Sequence, residues 1–200
     1  MWKSTWGILD KLSRDTPRHA PESQDAAMKP LTLDRRDEVA TLPYRPCVGI
    51  MLFNRYGLVW LGRRLPKWAG DRSAYIWQMP QGGIAKGEEP RMAALRELYE
   101  ETGVAQVEVL AEHSSWLTYD LPPELMGVAL KGRYRGQQQR WFAMRMIGPD
   151  SEISIRSRRR QKAEFDQWRW AAIDEVAAGI VDFKRPIYEK VVAEFRRFAR

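Results

Sequence analysis

The sequence predicts a single α/β domain, and three features predict it. The chain has 200 residues, of which 44% are hydrophobic and 30% charged, enough to bury one core and keep a polar surface. Short apolar runs rich in strand formers recur from residue 44 onwards. Two segments carry helix signals, one in the middle of the chain and one at its end. Strands that outnumber helices in this way favour a sheet covered by helices.

Six segments are predicted to be strands. The first two, residues 47 to 54 and 58 to 64, flank the turn-forming stretch from Asn54 to Gly57 and should pair as a hairpin. The other four are residues 75 to 79 (YIWQM), 107 to 112 (VEVLAE), 139 to 147 (QRWFAMRMI) and 167 to 173 (QWRWAAI).

Two helices are predicted. Pro90 suits a first helical turn and Gly103 suits a left-handed cap, so residues 89 to 102 should be helical. The core-facing positions of this helix are then Ala94, Leu95 and Leu98. Pro186 opens the second helix, which should be amphipathic because its apolar residues recur at helical spacing. These residues are Ile187, Tyr188, Val191, Val192, Phe195 and Phe198.

Composition limits the classes of function. The net charge of +7 and the pI near 9.7 favour polyanionic partners such as nucleic acid, nucleotides or a membrane surface. With one cysteine, Cys47, and no run of about 18 apolar residues, neither a disulfide scaffold nor a membrane span is expected. We therefore expect a cytoplasmic protein. His19 and His113 are far apart in the chain, which argues against a zinc site or a cysteine-histidine nucleophile.

The chain divides into an extension and a domain. Residues 1 to 42 contain Pro17, Pro21 and Pro30 among many charges, which predicts a flexible N-terminal extension. Met28 is an alternative start. Residues 43 to 200 should form the folded domain.

Three glutamates of the first helix form an unusual group in a basic chain. Glu97, Glu100 and Glu101 are spaced i, i+3 and i+4, so they are neighbours on one helix face in the last two turns. The helix dipole is negative there, and the arrangement is unfavourable without a cation. By themselves these residues are also compatible with a solvated acidic face.

The three glutamates belong, however, to the longer pattern G-x5-E-x7-R-E-U-x-E-E-x-G-U, where U is bulky and aliphatic. The matching residues are Gly82, Glu88, Arg96, Glu97, Leu98, Glu100, Glu101, Gly103 and Val104.

This pattern resembles the complete Nudix box of the Nudix hydrolases, and a chance match in a chain of this length is on the order of one in a million or less. The resemblance implies an α/β/α sandwich with a mixed β-sheet. It also implies a carboxylate cage for Mg²⁺, with Mn²⁺ as the alternative, which would neutralise a diphosphate linkage and position the attacking water. The implied metal ligands in the box are Glu97, Glu100, Glu101 and the carbonyl of Gly82. Arg96 and Glu88 would hold the loop and the helix together.

The resemblance extends over residues 44 to 198 to one subgroup, the bacterial RNA pyrophosphohydrolases, which are similar to diadenosine polyphosphate hydrolases and invasion-associated protein A. The segments that carry it include WQMPQGGI, YDLPPEL, GQQQRWFAM, EFDQWRW and VDFKRPIY. It implies a further metal-binding glutamate, Glu164, which taken alone would be an ordinary loop carboxylate. Either Glu164 or Glu97 could accept the proton from the attacking water.

The resemblance also implies residues that bind the substrate. The cations would meet base edges or phosphates and Phe183 would stack on a base, although a phenylalanine is equally compatible with the core. Gln138, Gln139 and Arg140 precede WFAM and could reach the phosphates, with a polar strand end as the alternative. The predicted substrate-binding residues are Arg45, Arg64, Gln138, Arg140, Phe183 and Lys184. The basic segment 156 to 162 (RSRRRQK) either steers polyphosphate toward the metal or is a solvated loop.

The leading functional prediction is an RNA pyrophosphohydrolase that converts the 5′-triphosphate end of RNA to a 5′-monophosphate, a step of 5′-end processing in mRNA decay. The alternative is a diadenosine polyphosphate hydrolase with the same cage. A non-catalytic RNA-binding module ranks low because no glutamate of the cage is missing. The expected partners are triphosphorylated RNA or a dinucleoside polyphosphate, with no membrane and no sequence-specific reading of DNA. The oligomeric state stays open.

Overall fold

The computed structural model of the protein describes residues 41–67, 71, 76–157 and 162–200. The predicted N-terminal extension up to residue 40, including Met28, lies outside these residues, as do residues 158 to 161 of the basic segment. Within the described part of the chain the strands are β1 (Tyr44–Phe53), β2 (Val59–Arg64), β3 (Trp77–Gln78), β4 (Gln81–Gly83), β5 (Val107–Glu112), β6 (Leu117–Asp120), β7 (Gly136–Met146) and β8 (Phe165–Ala171). The α-helices there are α1 (Pro90–Thr102) and α2 (Arg185–Phe195).

The sheet is mixed, as predicted, and β1 lies at its centre. β1 runs parallel to β7 over its whole length, from the pair Tyr44 and Gly136 to the pair Phe53 and Arg145. It is antiparallel to β2, across the predicted hairpin, and to β4. Strands β5 and β6 both pair antiparallel with β7, while β3 and β8 pair antiparallel with β2.

Helices cover both faces of this sheet, which confirms the α/β/α sandwich. Successive side chains of a strand point to opposite faces. Accordingly, Val48, Ile50 and Leu52 of β1 pack in one cluster with the buried face of α1, whereas Met51 and Phe53 pack in the other with the buried face of α2. The central strand is therefore apolar on both faces.

Helix α1 begins and ends where its sequence predicts. Pro90 occupies the first turn, and Gly103 has a left-handed backbone with φ of 76° whose N–H donates to the carbonyl of Tyr99. The predicted core positions are confirmed: Ala94 and Leu98 are buried, and Leu95 is half-buried and packs against the same cluster. Ala93, which was not predicted, is also buried there.

Helix α2 also matches its apolar pattern. Ile187, Tyr188, Val191, Val192 and Phe195 are all buried. Phe198 lies beyond the helix in a final 3-10 turn, Arg196–Phe198. No helix in the described ranges is both long and apolar enough to cross a membrane.

The largest departures from the predicted strands lie around the polar ends of the sheet. Residue 75 of the predicted strand 75 to 79 lies outside the described residues, and within 76 to 79 the strand is Trp77–Gln78. Strands β1 and β7 each begin about three residues earlier than predicted, where they pair with each other. Strands β4 and β6 were not predicted. Each is short and rich in glycine or polar residues, and each exists through its pairing with a long central strand. These additions bring β4 and the first residues of β1 and β7 together.

Candidate active site

The predicted metal ligands meet at one cavity of about 240 Å³. Strand β4 supplies Gly82, the last two turns of α1 supply Glu97, Glu100 and Glu101, and the segment before β8 supplies Glu164. The basic segment contributes Arg156 and Lys162 to the same cavity. The lining of this cavity therefore combines carboxylates with cations.

Arg96 ties the loop before α1 to the helix. Its guanidinium donates to both carboxylate oxygens of Glu88 at 2.8 and 2.9 Å and to the carbonyl of Gly83 at 2.8 Å. It also donates to Glu97 at 2.7 Å and to Glu100 at 3.2 Å, so the predicted i, i+4 pair is present. The Arg96 guanidinium lowers the pKa of Glu88 to about 2, helped by the backbone N–H of Ala85. The loop carboxylate thus stays charged throughout the neutral range.

Gly82 is required by its contact with Glu97. A Cβ atom at position 82 would lie 1.9 Å from the carboxyl carbon of Glu97. That distance is far inside van der Waals contact, so any larger residue would displace the Glu97 carboxylate from the strand. The absent side chain lets β4 and α1 approach closely.

Burial makes the charged forms of Glu101 and Glu97 unfavourable. Burial, and then the nearby charges of Glu164 and Glu97, raise the pKa of Glu101 well above its ordinary value. Burial also raises the pKa of Glu97, although Arg96 opposes this shift. The backbone N–H of Gln81 donates to Glu101 at 3.1 Å and fixes its carboxylate. A cation among these groups would stabilise their charged forms.

Glu164 lines the cavity and contacts two cations. Its carboxylate lies 3.0 Å from the Lys67 ammonium and 3.5 Å from the Arg64 guanidinium. The backbone carbonyl of Glu164 accepts a hydrogen bond from the N–H of Leu65 at 2.8 Å, which attaches this segment to the end of β2. Glu164 is therefore held by groups from β2 and the loop after it.

The donor chemistry fits a hard divalent cation, since these residues offer carboxylate oxygens and a backbone carbonyl. Within the described ranges, however, no three acidic, histidine or cysteine side chains converge closely enough to form a ready metal site. Arg96 engages Glu97 and Glu100, while Lys67 and Arg64 engage Glu164. Metal binding would exchange some of these ion pairs for metal–oxygen contacts.

A second cavity of about 140 Å³ adjoins the first. Both are lined by Arg45, Lys67, Gln81, Gly82 and Glu164. The second adds an apolar wall that includes Phe183, whose ring lies 5.4 Å from that of Tyr119 between centroids. The two cavities form one continuous depression, acidic and basic at one end and partly aromatic at the other.

Four predicted substrate-binding residues line this second cavity, namely Arg45, Arg64, Phe183 and Lys184. Burial, and then repulsion from Arg64 and Lys67, lowers the pKa of Lys184 from its ordinary 10.5 to about 8. Its ammonium lies 3.4 Å from the side-chain oxygen of Gln81. Arg64 is buried and paired with Asp71 at 2.8 Å.

The other two predicted substrate-binding residues line neither cavity. Gln138 is exposed, and Arg140 pairs with Glu112 and lies over the ring of Trp116 at 5.7 Å. The reason is the period of two along β7: Gln138 and Arg140 face away from Gln137 and Gln139. Gln137 lines the second cavity, and Gln139 donates to the side chain of Gln81 at 3.0 Å.

Sequence reasoning missed Lys67, Gln81 and Gln137. Strand alternation could have indicated Gln137, because it shares a face with Gln139 and with the buried Trp141. Nothing in the local sequence distinguishes Lys67 from other surface lysines. It reaches Glu164 through the path of the loop after β2.

A larger cavity, about 540 Å³, lies at the other end of β1 beside Asn54, Tyr56 and Ile147. Among its lining residues Asp150 is the single carboxylate. Size alone would favour this cavity, but the convergence of perturbed carboxylates favours the smaller pair.

Comparison with known proteins identifies the family of the chain. The model of the NUDIX domain family matches residues 43–191, and the chain belongs to the Nudix family. The chain is 57% identical over 162 residues to the RNA pyrophosphohydrolase of Brucella abortus (strain 2308), covering 80% of this chain and 91% of that protein. It is 56% identical over 161 residues to the RNA pyrophosphohydrolase of Agrobacterium fabrum, covering 79% of this chain and 95% of that protein.

Solved structures show the same fold at low sequence identity. The MutT protein from Methanosarcina mazei Go1 superposes with a TM-score of 0.55 at 16% identity, covering 77% of this chain and 96% of that one. The Ap4A hydrolase of C. elegans, in a binary complex, gives 0.54 at 16% identity, covering 76% and 98%. At this identity the likeness concerns the fold alone.

Proposed function

We propose that the protein is an RNA 5′-pyrophosphohydrolase, which hydrolyses the 5′-triphosphate end of RNA to a 5′-monophosphate and releases pyrophosphate. The observation that carries the proposal is the continuity of the two cavities. One gathers four carboxylates, and the other offers Phe183, Arg64 and Lys184 around a space suited to a base. The relatives that share more than half of their residues with this chain bear the corresponding name.

A divalent cation, Mg²⁺ or alternatively Mn²⁺, would be held by Glu97, Glu100, Glu101, Glu164 and the Gly82 carbonyl, and when bound would neutralise phosphate charge and acidify water. The protein's own residues bind and orient the substrate. Arg156, Lys162 and Lys67 line the carboxylate cavity and would attract the triphosphate. Arg45, which lines both cavities, and Lys184, which lines the second, would hold the phosphate next to the first nucleoside.

Hydrolysis proceeds by attack of a water oxygen on phosphorus, with cleavage of a phosphoanhydride bond and departure of pyrophosphate. A carboxylate must accept a proton from the water. Glu97 and Glu164 are the two candidates. Burial raises the pKa of Glu97 although Arg96 pairs with it at 2.7 Å, and Glu164 is ion-paired with Lys67 and Arg64, so both carboxylates are candidates for the general base.

The deciding experiment compares kcat/KM on a short 5′-triphosphate RNA and on diadenosine tetraphosphate, with identical Mg²⁺ and salt. We expect a strong preference for RNA, release of pyrophosphate, and loss of activity in EDTA that added Mg²⁺ restores. Glu101→Gln serves as the blank. A preference for the dinucleotide would instead support the alternative, a diadenosine polyphosphate hydrolase, which the same pair of cavities could accommodate.

A further inference from the structure

Two cations contact the carboxylate of Glu164, and they differ in how firmly they are held. The Arg64 guanidinium, 3.5 Å from this carboxylate, is also paired with Asp71 at 2.8 Å, and its side chain is only 7% exposed. The Lys67 ammonium lies 3.0 Å from the same carboxylate, but its side chain is 54% exposed. A lysine combines a compact charge with a flexible stem. Lys67 is therefore the cation of this pair that can change partners.

The backbone around Lys67 is anchored, although its side chain is exposed. The N–H of Lys67 donates to the carboxylate of Asp71 at 3.0 Å. Two residues earlier, the N–H of Leu65 donates to the backbone carbonyl of Glu164 at 2.8 Å. Movement of the Lys67 ammonium is thus confined to the reach of one side chain, and it starts from a fixed point beside Glu164.

Lys67 acts on groups in both cavities, and it lines both of them. Burial raises the pKa of Glu101 in the carboxylate cavity, and the charge of Lys67 opposes this shift. Burial lowers the pKa of Lys184 in the second cavity, and repulsion from Arg64 and Lys67 adds to that shift. The ammonium therefore already lies within electrostatic range of the carboxylates and of the residues proposed to hold the substrate.

A divalent cation held by Glu164 and Glu101 would reverse the balance at Lys67. The ammonium stabilises Glu164 because it is an opposite charge at 3.0 Å, but a doubly charged cation at the same carboxylate would repel it. The phosphates of a polyphosphate substrate would be the nearest new anions. An ammonium is a good partner for phosphate oxygens, since it offers three donors and a full charge.

We infer that Lys67 exchanges partners as the site is loaded: its ammonium neutralises Glu164 before a divalent cation binds and contacts a substrate phosphate afterwards. The second half of this inference rests on the proposed function. The exchange has two consequences of opposite sign, because Lys67 would weaken binding of the cation and strengthen binding of the substrate.

The first test measures binding of Mn²⁺ alone to the full-length protein by calorimetry. Lys67→Met keeps an unbranched side chain and removes the charge, so we expect Mn²⁺ to bind about three- to tenfold more tightly. The matched control is Lys162→Met. Lys162 is an exposed lysine of the same cavity, and within the described ranges no ion pair joins it to Glu164. Its removal should change the affinity for Mn²⁺ by less than about twofold.

The second test measures steady-state kinetics on triphosphorylated RNA at saturating Mg²⁺. Lys67→Met should raise KM about tenfold and keep kcat within about twofold, because a binding contact is lost and the carboxylates are unchanged. Lys67→Arg, which keeps a cation, should recover most of the loss in KM. Tighter Mn²⁺ together with weaker RNA is the expected signature, since a merely damaged loop would weaken both.

Three outcomes would overturn the inference. They are an unchanged or weaker affinity of Lys67→Met for Mn²⁺, an equal gain in Lys162→Met, and an unchanged KM for RNA. A wild-type protein that releases no pyrophosphate from RNA would instead overturn the proposed function. The Mn²⁺ titration uses no substrate and would still decide whether Lys67 competes for Glu164, so the two failures are distinguishable.

Discussion

The carboxyl group of Glu101 lies in surroundings that oppose its charge. It is enclosed against β4, it lies near the carboxylates of Glu97 and Glu164, and its pKa is raised well above the ordinary value for a glutamate. Such a position costs stability and is retained where a site requires it. Glu101 is therefore the residue at which stability and activity should conflict most clearly.

We predict that Glu101→Gln lowers kcat/KM on triphosphate RNA by at least about 100-fold, because an amide cannot supply a charged metal ligand. The same change should leave the melting temperature of the metal-free protein equal or higher, since the unfavourable buried charge is removed while the amide oxygen still accepts from Gln81. Kinetics and thermal melting in EDTA measure the two effects. Wild-type activity in saturating Mg²⁺ would refute the role assigned to Glu101.

At Lys184, a buried cation, stability and substrate binding should conflict in the same way. Because its pKa falls from 10.5 to about 8 on folding, the folded protein binds fewer protons than the unfolded chain between these values. Stability therefore rises with pH through this window, and the charged lysine destabilises the fold below pH 8.

We predict that Lys184→Met raises the free energy of unfolding at neutral pH by roughly 1 to 3 kcal/mol and raises KM for triphosphate RNA. The stability gain should diminish as pH approaches 10.5, the ordinary lysine value. Denaturant unfolding across this pH range tests the sign. Lys190→Met, an exposed lysine on α2, is the matched control and should show no such pH-dependent gain.

At the scale of elements, the loop between β4 and α1 and the helix itself are joined by Arg96. This side chain makes five hydrogen bonds to four different residues, and its planar guanidinium is what allows them to form together. The carboxylates of the site are positioned only if the loop and the helix keep this alignment.

We predict that Arg96→Lys lowers the free energy of unfolding by about 2 kcal/mol and reduces kcat more than it raises KM, because an ammonium cannot reproduce the forked contacts. Chemical denaturation and steady-state kinetics provide the measurements. Arg91→Lys, an exposed arginine earlier on α1, is the control. Equal effects of the two changes would show that the forked geometry is unimportant.

At the scale of the whole molecule, the described part of the chain contains both apolar clusters, on the two faces of one sheet. The proposed cavities and their lining residues also lie within it. Residues 41 to 200 should therefore suffice for folding and for the chemistry, and the division at about residue 42 stays a prediction.

We predict that a protein lacking residues 1 to 40 keeps the melting temperature of the full chain within a few degrees and keeps its kcat, because the two described core clusters are built from residues between 48 and 199. Calorimetry and kinetics on both proteins test this expectation. A large loss of stability or of kcat would show that the extension packs on the domain.

Several features follow from the sequence itself because their causes are local. The bounds of α1 are set by Pro90 and Gly103, and the shared face of Glu97, Glu100 and Glu101 is set by helical periodicity. The continuous apolar runs of β1 and β7 indicate that both faces of these strands are buried, and the box pattern identifies the family. None of these features depends on contacts between distant segments.

The remaining features of the fold and the site were decided by tertiary structure, because they depend on which distant segments of the chain meet. Strand β4 exists only through pairing with β1, and Glu164 reaches the cavity only because its segment attaches to the end of β2. The register of β7 between β1 and β6 turned Gln137 toward the second cavity and Gln138 and Arg140 away from it. A period of two fixes which residues share a face, but only packing against the neighbouring elements decides which face borders the site.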